Sequence, residues 1–140
     1  MPLPRKKFRE MVFQLLFSKD FSDLKEKSAT DVLMRLLKTT KAQVVKAQEE
    51  IDQLLEKKSF LDDLIRKVSE EYRLERISKV ELNILRLALF ELFFIPEISK
   101  KITIAEAIRL NRKFGSEKGS TFVQALLNRI CLENPDQIKK

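Results

Sequence analysis

Ser78-Lys79-Val80-Glu81-Leu82-Asn83-Ile84-Leu85-Arg86-Leu87-Ala88-Leu89-Phe90-Glu91-Leu92-Phe93-Phe94-Ile95-Pro96 decides the fold. Ser78 followed by Glu81 is a capping-box start, in which each side chain satisfies a backbone amide of the first helical turn. From Val80 to Phe94 apolar residues leave almost no polar face, so a helix here cannot turn a side to water. Pro96, with no amide donor, stops it. The segment is predicted to be a central buried helix that other elements must cover. Its polar exceptions are Glu81, Asn83, Arg86 and Glu91. Any of them in the interior needs a partner, because unpaired charge in a core is costly. Arg86 and Glu91 are expected to serve structure, whereas Glu81, near the exposed start, is expected to face a partner protein.

Outward from this helix, the pattern is helical throughout. Phe8, Met11, Val12, Leu15 and Leu16 recur at helical spacing, predicting a first helix from near Arg5 to between Ser18 and Phe21. Ser28 with Asp31 resembles the start of a second helix through Leu36 and Leu37. Thr40-Lys41 opens a third, in which Ala47, Ile51, Leu54, Leu61, Ile65, Val68 and Tyr72 continue the stripe. One long helix to about Arg73 is favoured, with a break at Ser59 as the alternative. After the central helix, Thr103 and Glu106 repeat the capping-box pattern and predict an amphipathic helix through Lys113. Ser120 to Leu132 makes the last one. Strand signals are nearly absent, so the fold class is all-α.

Composition narrows the function. A chain of 140 residues is predicted to form a single domain spanning 1–140, and 44% hydrophobic with 35% charged residues is the makeup of a soluble helical protein. No apolar run approaches the roughly 20 residues that span a bilayer, and the N-terminus lacks a signal-peptide core. No membrane association and a cytoplasmic location are expected. With no histidine and one cysteine, Cys131, the chain lacks the commonest general base and cannot build a cysteine zinc site, so no enzyme activity, metal or cofactor is expected. Cys131 is read as a small apolar residue of the last helix. A formal net charge of +7 favours a polyanionic partner, nucleic acid ahead of membrane.

Two regions fit such a partner. Arg5, Lys6, Lys7 and Arg9 cluster at the start of the first helix, and steps of four lead from Arg5 and Arg9 to Phe13 and Phe17, a basic face ending in rings. The alternative is solvated cations with both rings in the core. Both glycines of the chain, Gly115 and Gly119, fall at one helix-to-helix joint, where glycine implies tightly specified backbone geometry. Arg109, Arg112, Lys113 and Lys118 surround amides exposed there, a combination suited to phosphate; a plain helix C-cap at Gly115 is the alternative. The spacing lacks the Walker pattern, so nucleotide hydrolysis is disfavoured. Glu70 and Glu71 have no fixed geometry for acid-base work and read as a solvated helix end.

Three ordered blocks carry a family likeness. Val80 to Leu92, then Ile104-Ala105-Glu106-Ala107-Ile108 running into Phe114-Gly115-Ser116-Glu117 and Phe122-Val123, together with Arg9-Glu10 and Gln14-Leu15-Leu16-Phe17-Ser18, resemble the NusB family of bacterial transcription antitermination factors. The likeness spans about Arg5 to Ile130 and is weakest from Phe21 to Lys58. It implies a NusB-like fold of about seven helices in two packed bundles. It also implies a noncatalytic protein that binds the boxA RNA of nascent ribosomal RNA transcripts together with NusE, a small-subunit ribosomal protein, and joins the elongating RNA polymerase complex. By that likeness, Arg5, Lys6, Lys7 and Arg9 bind the RNA backbone and Phe17 stacks a base. Lys113, Lys118, Ser120 and Phe122 complete the RNA surface, and Glu75, Arg76 and Glu81 face the partner.

Departures from the family pattern bear on the contacts. Phe17 stands where tyrosine is usual, which keeps a ring and loses a hydroxyl. Lys118 occupies a position often acidic, Gly119 one often serine, and Gln124-Ala125 replace Asn-Gly. A cation for an acid beside RNA strengthens nonspecific attraction. The other readings are the NusB-like accessory domain of a ribosomal RNA methyltransferase and a protein-binding helical adaptor or homodimer. The RNA reading requires the opening cations and the late joint to meet on a shared outer surface.

Overall fold

The computed structural model describes residues 5–20, 41–69 and 74–138. Among them are α1 (Arg5–Asp20), α2 (Lys41–Glu56), α3 (Lys58–Val68), a 3₁₀ turn (Leu74–Arg76), α4 (Lys79–Phe94), α5 (Lys100–Phe114) and α6 (Glu117–Glu133), with no strand among the described residues. The all-α expectation holds. The predicted helix from Ser28, its neighbour Thr40, the pair Glu70 and Glu71, and the stretch Tyr72-Arg73 lie outside the described residues. The chain divides into two compact units, Met1–Glu56 and Lys57–Lys140. No described helix is long and apolar enough to cross a membrane.

In the first unit α1 packs against α2. Met11, Val12, Phe13, Leu15 and Leu16 are buried on α1, and Val44, Ala47, Ile51 and Leu54 on α2. Arg5 reaches the largely covered Glu50 at 3.3 Å, and Lys19 reaches exposed Asp52 at 4.0 Å, a solvated pair that adds little to stability.

The single long helix expected from Lys41 to Arg73 is two helices. The chain breaks at Lys57, whose φ of −99° and ψ of 5° lie in the bridge region, and α3 starts there with no side-chain cap. Leu54 and Leu61 stand two turns apart, so the apolar stripe stays in phase across the break, which falls two residues before the alternative at Ser59. Between them Glu56, Lys57, Lys58 and Ser59 are all exposed. No buried side chain holds a continuous helix at that point.

The second unit is built around α4. It packs against α3, α5 and α6, and Leu82 through Leu92 are buried without interruption. Ser78 caps it, its Oγ accepting from the Glu81 amide at 3.2 Å, and its hydroxyl donates to the Glu81 carboxylate. At the far end the Ile95 amide closes on Glu91 at 3.1 Å, before Pro96. The buried polar groups find partners as expected. Arg86 donates to both oxygens of Asp62 on α3, at 2.8 and 3.0 Å, and Glu91 accepts from the Thr103 hydroxyl at 3.0 Å.

That last bond corrects the predicted start of α5. The helix begins at Lys100 and is capped by Ser99, whose Oγ accepts from the Ile102 amide at 3.2 Å. Thr103 and Glu106 are interior residues, Thr103 bonded to Glu91 and Glu106 to Arg109 at 2.6 Å. A spacing of three also places two residues on one helix face, so a buried polar pair imitates a capping box. The last helix likewise starts earlier than Ser120, at Glu117 with Ser116 as its cap. Cys131 is half-buried on α6.

Candidate nucleic-acid interface

The start of α1 presents Arg5, Lys6 and Lys7 to solvent. Arg5 is partly engaged, with its guanidinium 5.1 Å from the Phe8 ring centroid and 3.3 Å from Glu50. Arg9, one turn on, departs from the expectation: it is 3% exposed. The run from Arg9 to Leu16 is buried apart from half-buried Gln14, so α1 loses its open face after its first turn. A guanidinium enclosed in this way is not offered to a phosphate. Phe13 is core, and half-buried Phe17 lies stacked on it with centroids 5.8 Å apart at 24°. Its ring is thus held rigidly, with part of its surface open.

The joint between α5 and α6 is organised by a residue the sequence reading passed over. Asn111, fully buried at the end of α5, donates from Nδ2 to the Ser116 carbonyl at 2.7 Å and to the Ser120 hydroxyl at 3.0 Å, clamping the two helices. Its signal in the sequence is weak: a polar residue in phase with the buried Ala107 and Leu110. Asn111 Oδ1 is buried with no hydrogen-bond partner among the described residues. Half-buried Ser120 accepts from the clamp, and half-buried Arg109 donates to Glu106. Arg112 and Lys113 remain exposed, with Lys113 Nζ 5.7 Å from the Phe114 ring.

The glycines serve closeness, not unusual torsion. Gly115 has φ −118° and ψ −149°, extended values open to any residue. A β-carbon there would collide with the Asn111 side-chain oxygen and lie 3.0 Å from the Asn111 carbonyl. Gly115→Ala is expected to lower unfolding free energy by about 1–3 kcal/mol through overpacking, despite the ordinary φ; denaturant unfolding checks it, and a neutral result would refute the steric account. Gly119 is buried in the first turn of α6, its amide bonded to Ser116 Oγ at 3.1 Å. A β-carbon on it would sit 2.5 Å from Glu81 Oε1, so the missing side chain lets the α4 carboxylate lie against α6.

This closeness shapes a surface cleft of about 300 Å³, lined by Arg76, Ser78 and Glu81 from one side and Lys118, Gly119 and Phe122 from the other. Residues expected to bind RNA, Lys118 and Phe122, share it with residues expected to face the partner, Arg76 and Glu81. Lys118 and Arg76 are exposed, and Phe122 and Glu81 half-buried. The cleft therefore offers two cations, one carboxylate, an aromatic wall and hydroxyls. Glu75 is exposed on the adjoining 3₁₀ turn. The opening cations belong to the first compact unit and this cleft to the second.

Comparison with known proteins places the architecture. The NusB family model matches residues 6–131. The transcription antitermination protein NusB of Chlamydia pneumoniae is 38% identical over 131 residues, covering 94% of this chain and 82% of the relative. A solved structure of T. maritima NusB superposes with TM-score 0.79 at 35% identity, covering 95% of this chain and 94% of that one. A structure of antitermination factors NusB and NusE in complex with dsRNA shares the fold, with TM-score 0.76, 23% identity and coverage of 92% and 96%. With the family match spanning nearly the whole sequence, the chain belongs to the NusB family.

Proposed function

We propose that this chain is a noncatalytic, cytoplasmic transcription antitermination factor that acts as one RNA-binding domain. It binds the boxA element of nascent ribosomal RNA together with NusE and enters the elongating RNA polymerase complex. Family membership carries the proposal: the relative at 38% identity is itself a transcription antitermination protein, and a chain of the same fold has been solved with NusE and dsRNA.

The residues support it in detail. Arg5, Lys6 and Lys7 supply exposed cations for phosphates, Phe17 a half-buried ring, and Lys118 and Phe122 a cation and a ring within the cleft. Arg76, Glu81 and neighbouring Glu75 make the partner-facing side. Because Glu81 and Lys118 line one cleft, NusE and RNA act there on adjoining groups, and partner contact with Glu81 screens a carboxylate from the RNA phosphates.

Titration of labelled boxA RNA at several salt concentrations, with and without NusE, tests the function. Preference for boxA over a scrambled RNA, tightened by NusE, is the expected result; equal affinity for both would reduce the binding to generic electrostatics. The double variant Lys6→Glu/Lys7→Glu is expected to weaken RNA binding by at least about tenfold and to flatten the salt dependence by about 0.7 in log–log slope per lost contact. Its helical content and NusE binding are expected to stay unchanged, since both positions are exposed. An unchanged salt slope would remove these lysines from the interface.

A further inference from the structure

The C-terminal end of α4, about 20 Å along the helix axis from Glu81, carries an aromatic cluster that RNA binding does not use. Phe60 of α3 meets Phe93 edge to face at 5.4 Å and Phe94 at 5.7 Å between ring centroids, and Phe94 also lies 5.6 Å from Phe90. Phe90 is buried, yet Phe60 is 39% and Phe94 38% exposed. Two adjacent large rings partly in water offer apolar area that a contact would bury.

Cationic charge lies against these rings, and the exposed acid nearest Phe60 on α3, Asp63, is paired with Arg66 at 3.1 Å. Lys57 holds its ammonium 5.4 Å from the Phe94 ring centroid, and Lys58 follows it at the exposed start of α3. The first turn of α3 contains no acidic residue, although acids there are the ordinary complement of a helix's positive end. Nothing nearby on that turn offsets the lysines.

We infer that Phe60 and Phe94 form a docking surface for a short protein segment whose apolar anchors are flanked by Asp or Glu. Charge complementarity selects this occupant: its carboxylates meet Lys57 and Lys58 while its anchors cover the rings. Single-stranded RNA fits less well, because base stacking needs an open ring face and Phe94 is flanked by the Lys57 ammonium, Phe60 and Phe90. A second copy fits less well too, since an isologous contact would set these lysines against their own copies on a chain of net charge +7. This surface does not depend on the RNA proposal.

Panning a displayed library of random short peptides against the folded full chain is the test. Enriched sequences are expected to combine Phe, Leu or Trp with Asp or Glu. They are expected to bind Phe94→Ser at least about tenfold more weakly and Lys57→Glu at least about fivefold more weakly. Both variants are expected to keep wild-type helical content and RNA affinity. If Phe94→Ser does not fold, Phe60→Ser and Lys57→Glu, changed at exposed positions, carry the comparison. No enrichment, enriched peptides without acids, undiminished binding to the variants, or a loss of RNA affinity would each overturn the inference. A dimer in light scattering that becomes a monomer on Phe94→Ser would assign the patch to self-association and overturn it as well.

Discussion

Asp62→Ala is expected to destabilise the second unit by about 3–5 kcal/mol, the usual cost of breaking a buried ion pair by removing one member. Asp62 and Arg86 are 6% and 5% exposed, and both carboxylate oxygens are used, at 2.8 and 3.0 Å. Removing the acid takes two charge-assisted hydrogen bonds from a buried guanidinium on the face of α4 that packs against α3. The pair itself contributes less than its loss suggests, because two charges had to leave water to form it. The double variant Asp62→Leu/Arg86→Met is therefore expected to recover most of the deficit. Urea unfolding followed by circular dichroism checks both. A loss below about 1 kcal/mol for Asp62→Ala would show that Arg86 reaches water or another acid when its partner is gone.

Arg9→Glu is expected to be comparably severe, about 3–5 kcal/mol, through the first unit. Arg9 is 3% exposed and its neighbour Glu10 also 3%. The substitution encloses a carboxylate where the protein holds a cation, next to an acid already inside. Helical content and RNA affinity should fall together, whereas Lys6→Glu/Lys7→Glu should lower RNA affinity alone. A well-folded Arg9→Glu protein that had selectively lost RNA binding would return Arg9 to the interface.

The contrast between Arg9 and its neighbours shows where the sequence was legible. Clustering with Arg5, Lys6 and Lys7 made Arg9 look solvated, because a single apolar stripe implies an opposite wet face. That face closes after the first turn of α1, and closure comes from packing that no local pattern encodes. α4 was legible because independent signals agreed: the cap at Ser78, an unbroken apolar run and a proline stop. The start of α5 was not, since Thr103 and Glu106 match the capping spacing while answering to Glu91 and Arg109. Ser99 carried the weaker sequence signal, being followed by Ile102 where a capping box has an acid or amide. The individual polar members of the cleft were legible, Glu81 as a polar exception on its helix and Lys118 as a cation at the glycine joint. Their meeting was not, because it depends on Gly119 lacking a side chain and on Asn111 clamping the joint.

One boxA oligonucleotide carrying a photoreactive base at successive positions, crosslinked to the full chain with NusE and mapped by mass spectrometry, tests the central claim most directly. Attachment is predicted both within Arg5–Phe17 and within Lys113–Phe122 on the same RNA. Attachment confined to one of these segments, or lying outside both, would contradict it.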